Sequence, residues 1–387
     1  MRNAKDAIFQ TPEPTEDELA VITLIDEMRT SLAHWVREPR TWTGLVRKLL
    51  VARAVRGSNS IEGIHVTLED ALAVIEDEDA VDADADVVDA VRGYRDAMTY
   101  ILSLAGDPHL EFELGLIRSL HYMMVRHEPE KRPGRWRIGD IFVQDEATNE
   151  VVYEGPPPEA VAQLMVALNA SLGQESRAPV LINAAMAHLN LAMIHPFKDG
   201  NGRMARALQT LVLSREGILA PEFSSLEEYL GTVQTPYYQV LNTVGGGKYQ
   251  PERDARPWVR FVLTAHYRQA QILRRRVRNW ERTWDSLERA AGQQHLPDRV
   301  IPALFNAASG ARLRNPTYRG LADVSEYTAG RDLKALVDAG FLRPVGEKRG
   351  RYYVASESLG AIRQGAQAPR TPLDDPFQLV TRPPLPL

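Results

Sequence analysis

The chain has no cysteine among its 387 residues, so it can hold no disulfide, no thiolate nucleophile and no cysteine-ligated zinc. That suits a reducing compartment, and the cytoplasm is the expected location. It also lacks any apolar run near the ~20 residues that a membrane span requires. The opening MRNAKDAIFQTPEPTEDE has neither a basic n-region nor an apolar h-region, so neither secretion nor membrane insertion is expected. A large charge excess is missing too. The 46 Lys and Arg against 51 Asp and Glu leave −5, which gives the chain as a whole no field that calls for a polyanionic partner. What is present is 44% hydrophobic residues, enough for real cores, at a length that calls for two or three domains.

Helical periodicity dominates. Apolar residues recur at helical spacing over 43–75, interrupted at Gly57 and Gly63, which predicts two or three short helices with Thr67 to Asp70 as a capping box. The acidic run EDEDAVDADADVVD that follows reads as a solvated loop or helix start, and no metal is assigned to it. Helical patterns resume over 87–127 and again over 157–173, 178–194 and 202–216. Between them, the β-prone stretches IFV and VVY around a polar turn predict an exposed hairpin at 137–153. The last stretch, GAQAPRTPLDDPFQLVTRPPLPL, is proline-rich and reads as a disordered or surface-hugging tail.

The segment HPFKDGNGRMAR, residues 195–206, concentrates the chemistry. Gly200 and Gly202 flank Asn201 where a helix begins, so the backbone can turn sharply and aim successive N–H groups at one point. That is an anion cradle. Arg203 and Arg206 are three apart, hence on one helical face, and their guanidinium forks suit phosphate oxygens. Asp199 offers a hard carboxylate of the kind Mg²⁺ takes when it also bridges phosphates. His195, with an ordinary pKa of ~6.5, can accept a proton from an incoming hydroxyl. Phe197 reads as a core residue that anchors the loop and sets the direction of His195. Each piece alone is commonplace, but eight specified positions in twelve residues are not.

This loop resembles the signature of the Fic proteins, H-x-F-x-(D/E)-G-N-G-R-x-x-R, at every specified position. The resemblance implies a mainly α, Fic-type helical core with an inserted β-hairpin flap, in which AMP passes from ATP to a hydroxyl of a target protein. By position, His195 would be the base, Asp199 the Mg²⁺ ligand, and Gly200, Asn201 and Gly202 the phosphate cradle. Arg203 and Arg206 would hold the polyphosphate, with Arg206 on the γ-phosphate. The 137–153 hairpin matches the family's flap, which registers the target by strand-like pairing. Tyr229 followed by Tyr237 and Tyr238 resembles a family pattern lining the nucleotide groove, and core packing is an equal reading of these rings. The family often has a tryptophan soon after that pair, whereas here Trp258 comes late.

Ser58, Glu62 and Gly63 fit the family's inhibitory motif, (S/T)-x-x-x-E-(G/N), placed ahead of the core. Ser58 and Glu62 are four apart on one helical face, and Glu62 is expected to form a bidentate pair with Arg206. That pair would take away the γ-phosphate's partner and slow the resting enzyme. In some relatives the same glutamate supports AMP removal, and this sequence is open to that activity. Other relatives move UMP, phosphocholine or phosphate, so another donor stays open as well.

Residues 316–342 read as helix, turn, helix, and 345–354 as a short basic hairpin, which together resemble a winged helix-turn-helix. Over 296–351, ten Lys or Arg and six Asp or Glu leave 10 − 6 = +4. Thr328, Arg331 and Lys334 are the candidate DNA contacts on the second helix. Protein docking or dimerisation is the competing use of such a module. The expected division is therefore an N-terminal helical region over 1–115, a Fic core over 116–265, a connecting helix over 266–292, the winged helix over 293–360 and the tail over 361–387. Expected partners are a protein with a Ser, Thr or Tyr hydroxyl, the chain itself by self-modification, a second copy as a homodimer, and DNA through the C-terminal module. A transcriptional regulator that uses the nucleotide site as a sensor is the alternative function.

Overall fold

In a computed structural model of the chain, residues 7–37, 43–77, 83–107, 109–144, 150–173, 178–215, 226–347 and 351–381 are described. Helices α1 (Glu16–Arg37), α2 (Thr43–Ile61), α3 (Leu68–Ile75), α4 (Ala85–Ser103) and α5 (Leu114–Val125) precede the antiparallel strands β1 (Phe142–Gln144) and β2 (Val151–Glu154). Helices α6 (Pro158–Gly173), α7 (Val180–Ile194) and α8 (Asn201–Arg215) follow. Then come the short α9 (Glu227–Thr232), α10 (Gln234–Gly245) and the long α11 (Arg256–Gln293). The expected connecting helix over 266–292 is thus the later part of one 38-residue helix.

The fold is built around α7. Its sequence VLINAAMAHLNLAMI is apolar on every side, which only a helix surrounded by others can tolerate. Its two buried polar side chains, His188 and Asn190, have defined partners. His188 bonds Gln209 at 2.7 Å and Tyr237 at 3.0 Å, while Asn190 pairs with both the N–H and the carbonyl of Phe9. Trp258 of α11 lies fully buried and donates its indole N–H to Ala185 O at 2.7 Å. Its late position in the sequence still delivers it to the central helix.

Gly57 does not break a helix: α2 runs through it. A Cβ there would come within 2.6 Å of Glu227 O, so glycine lets α2 and α9 cross in backbone contact. The helix ends instead at Gly63, whose φ of +75° suits glycine after a helix C-terminus. Thr67 then caps α3 by accepting from Asp70 N at 3.0 Å, as the capping pattern predicts.

The C-terminal elements are α12 (Ile301–Ala308), α13 (Asn315–Ala322), α14 (Glu326–Asp338) and the antiparallel pair β3 (Leu342–Val345) and β4 (Tyr352–Ala355). The expected helix, turn, helix and hairpin are present in that order, with 348–350 at the hairpin tip outside the described residues. Two helices not read from the sequence follow. Ser356 caps α15 (Glu357–Gly365), and α16 (Pro376–Thr381) ends the described part of the proline-rich tail. That tail lies along α11: Arg260 covers the Phe377 ring at 3.8 Å, and Gln271 donates to Asp374 at 2.6 Å. No helix among the described residues is long and apolar enough to cross a membrane.

Candidate active site

The buried helix α7 stops at His195, which adopts the left-handed conformation with φ 50° and ψ 59°. A side chain there costs roughly 1–2 kcal/mol, so other contacts must hold it. Arg137 does so, donating from Nε to His195 O and from its own backbone N–H to Pro196 O, both at 2.9 Å. Pro196 also prevents the helix from continuing. Phe197 is fully buried, stacked on His121 with ring centroids 3.6 Å apart and planes 5° from parallel. Burying such a ring contributes about 1.5–3 kcal/mol toward fixing the loop.

Asn201 closes the turn with its side chain: Phe197 N–H donates to Oδ1 at 2.9 Å, and Nδ2 donates to Phe197 O at 3.0 Å. Its side chain therefore serves the loop, which leaves the anion to the backbone N–H groups opening α8 and to the arginines. Gly200, with φ +74°, sits against Val125 and His121, where a Cβ would crowd Val125 at 3.2 Å. A Cβ on Gly202 would run into the Glu62 carboxylate.

The two arginines are almost fully buried, at 3% exposure for Arg203 and 2% for Arg206. Arg206 donates Nε to Ser58 Oγ at 2.9 Å, and Nη2 to Ser58 O at 3.0 Å and Glu62 Oε1 at 2.7 Å. The expected bidentate pair with Glu62 is thus replaced by a three-point hold in which Ser58 supplies two acceptors. The reason is position. Ser58 lies within α2 beside the guanidinium, whereas Glu62 lies just past the helix end and reaches with one oxygen. Burial by itself would lower the Arg206 pKa, but Glu62 and the nearby Tyr237 and Tyr94 phenols raise it, so the cation is secure. Arg206 Nη1 and Arg203 Nε and Nη1 are buried and have no hydrogen-bond partner among the described residues. Buried guanidinium N–H groups in that state form a strong anion site.

His195 places its Nδ1 3.1 Å from Ala192 O, which can only accept, so Nδ1 carries the proton and Nε2 keeps its lone pair. Burial, above all, lowers the pKa of this imidazole, keeping it neutral and ready to accept a proton. Asp199 accepts from Gly200 N at 2.6 Å through Oδ1 and pairs with Lys131 through Oδ2. Although burial works to raise its pKa, Lys131 and the Gly200 N–H outweigh that and hold the carboxyl below its ordinary value. No group of three or more His, Asp or Glu suited to a metal occurs among the described residues, and Asp199 stands as one hard carboxylate beside the anion site.

The sequence reading missed His121, Arg137 and Lys131. His121 accepts from Gly134 N–H at Nδ1 and donates from Nε2 to Asp199 O, both at 2.9 Å, so it ties the segment leading to the hairpin to the loop. Burial first of all pushes its pKa down to about 4, which keeps it in the neutral form this pairing needs. No local pattern marked these residues; only the arrival of α5 and the 128–137 segment beside the loop gives them a role.

Among the expected groove tyrosines, Tyr237 is a correction. It is 2% exposed, bonded to His188 and packed against Tyr238, Trp258 and Phe261, which leaves no ring face for a base. Tyr229 is buried as well. Tyr238 is 47% exposed and donates to Ile61 O at 3.1 Å, at the end of the helix that carries Ser58. The strands begin at Phe142 rather than at 137, their turn over 145–149 lies outside the described residues, and Tyr153 OH anchors them to Met193 O at 2.6 Å. Ile138, Phe142 and Val151 are exposed on or beside this hairpin. At the other end of the chain, Arg331 and Lys334 are exposed on α14 and Thr328 is half-buried, with Tyr327 82% exposed next to it.

A helical core with a two-glycine loop between its central helices, a hairpin beside the loop and a preceding helix seated on the loop's last arginine is the Fic architecture. Residues 111–213 match the Fic/DOC family model. It is 31% identical over 210 residues to the protein adenylyltransferase Fic of Nematostella vectensis, covering 53% of this chain and 44% of that one. With the protein adenylyltransferase Fic of Drosophila virilis it shares 31% identity over 255 residues, covering 64% and 47%. The chain thus spans less than half the length of these curated relatives. Among solved structures, a Fic family protein from Desulfovibrio desulfuricans superposes with a TM-score of 0.58 at 23% identity, over 90% of this chain and 98% of that one. A Fic domain-containing signaling protein from Bacteroides thetaiotaomicron gives 0.53 at 20%, over 66% and 96%. At such identities the likeness is one of fold.

Proposed function

We propose that this protein transfers AMP from ATP to a Ser, Thr or Tyr hydroxyl of a protein, and that it rests in an inhibited state. The observation that carries this reading is the set of buried N–H groups on Arg203 and Arg206, without a partner among the described residues, at the amino end of α8 beside a neutral His195. A triphosphate would complete those donors. His195 Nε2 takes the proton of the acceptor hydroxyl as its oxygen attacks the α-phosphorus. The bond from that phosphorus to the bridging oxygen breaks, and pyrophosphate leaves with its charge on the arginines and the α8 amides. Asp199 is the residue that would hold a Mg²⁺ ion, which would neutralise phosphate charge; Mg²⁺ commonly needs only one or two protein carboxylates.

Glu62 sets the rate. Its carboxylate lies over Gly202 and on Arg206, where the outer phosphate would sit, so ATP must either displace it or bind out of line. The exposed apolar residues of the hairpin suit an extended target segment laid along it. Intact-mass analysis of Glu62→Gly with ATP and Mg²⁺ tests the reading: a gain of one AMP unit, absent when His195→Ala is added, is expected. No gain with ATP but a gain with another nucleotide would change the donor, and no gain with any would remove the activity. A second reading, a DNA contact, is favoured by the exposed Arg331 and Lys334 on α14, and a salt-dependent duplex affinity lost in Arg331→Ala would support it.

A further inference from the structure

We propose that Arg312 is a positioning residue for the Glu62–Arg206 contact, through which the C-terminal helices and hairpin hold the nucleotide site at rest. This rests on the inhibitory role of Glu62 proposed above. Glu62 is connected to Arg312 by a chain of local contacts, although the two are far apart in sequence. After Glu62 the chain turns at Gly63, with Ile64 N bonded back to Asn59 O at 3.0 Å, and enters α3 through the Thr67 cap. That cap is completed by Asp70, whose Oδ2 accepts from Thr67 Oγ1 at 2.8 Å. Asp70 is only 1% exposed, and its Oδ1 lies 3.4 Å from Arg312 Nη1. The other terminal nitrogen of Arg312 lies 3.8 Å from Glu69.

Arg312 does not belong to the inhibitory region. It stands on the turn from α12 to α13, where Leu313 exchanges two backbone hydrogen bonds with Tyr353 of β4, at 2.9 and 2.8 Å. Its guanidinium also lies 5.4 Å from the Tyr352 ring centre. Ala311, one residue earlier, packs with Leu49 and Ala52 of α2 and Ala71 and Leu72 of α3 in a small apolar cluster apart from the main core. The C-terminal unit therefore grips α2 and α3 twice, by burial and by charge. A second charged contact fixes α2, where Glu228 of α9 meets Arg53 of α2 at 3.3 Å and Arg276 of α11 at 2.8 Å.

A buried carboxylate that loses its cation is strongly disfavoured. Without Arg312, the Asp70 carboxylate loses the cation that faces it, which loosens the Thr67 cap and the turn that aims Glu62. The same coupling run forwards makes the C-terminal unit a handle: a partner that shifts it relative to α3 would release Arg206.

The test uses the intact chain and α-labelled ATP. Arg312→Met should raise self-labelling at least fivefold over wild type, Arg312→Lys should restore most of the inhibition, and Arg312→Met should add nothing in a Glu62→Gly background. Wild-type labelling in Arg312→Met while Glu62→Gly labels strongly overturns the proposal. So does lower labelling in both backgrounds, which marks a merely structural role. Amide exchange of residues 58–64 reads the coupling without activity: it should quicken in Arg312→Met, and unchanged exchange overturns the proposal. If Glu62→Gly labels with no nucleotide, the transfer reading fails, and the exchange result still decides the role of Arg312.

Discussion

Arg206 makes two hydrogen bonds to Ser58 and one to Glu62. Ser58 accepts from Nε through its hydroxyl and from Nη2 through its carbonyl, while Glu62 accepts from Nη2 alone. The carbonyl contact is made by backbone, so the position of α2 itself, and not only the two motif side chains, fixes the arginine.

Ser58→Ala therefore removes one of three acceptors and leaves the Glu62 contact in place. A buried charged hydrogen bond of this kind is worth about 1.5–3 kcal/mol. Self-labelling should rise roughly tenfold or more over wild type yet stay below Glu62→Gly. Labelling equal to wild type would show that the side chain of Ser58 takes no part in holding Arg206.

The pH profile of labelling by the Glu62→Gly variant should report His195. Burial lowers its pKa from 6.5, and only the neutral imidazole can take the acceptor's proton. The rate of Glu62→Gly should climb with pH to a plateau reached below neutrality and stay level to pH 8. A midpoint above 6.5, measured as initial labelling rate, would contradict the neutral, buried base.

Gly57→Ala should act on stability and rate together. The new Cβ would sit 2.6 Å from the carbonyl oxygen of Glu227, which is backbone and cannot swing aside. Overpacking of this kind costs about 1–3 kcal/mol and must push α2 off α9. We expect a lower melting temperature with raised labelling, because the shift carries Ser58 away from Arg206. An unchanged melting temperature would mean that the two helices do not cross as closely as they do here.

Local chemistry made much of this legible. The His195–Arg206 loop is a sequential unit whose glycines, proline and charged residues act within a few residues of one another, so its spacing alone suggested the proposed anion cradle and base. The Thr67 cap and the apolar periodicity of α7 are local in the same sense. Gly57 shows the limit: its lack of a side chain could mean a helix break or a close crossing, and only the presence of α9 against it selects the second. Tyr237 could line a groove or fill a core, and the arrival of His188, Trp258 and Phe261 around its ring selects the core.

The sequence by itself determined the His195–Arg206 loop, the mainly helical architecture and the Ser58–Glu62 motif, because short-range sterics and periodicity write those into adjacent residues. The tertiary structure decided the rest. It brought His121 and Lys131 to Asp199, gave Arg137 the strained His195 to hold, and divided Arg206 between Ser58 and Glu62. It also set Arg312 against Asp70 across 242 residues of chain. Contacts between segments so far apart depend on how buried faces and charges are paired in three dimensions, and no local pattern carries that information.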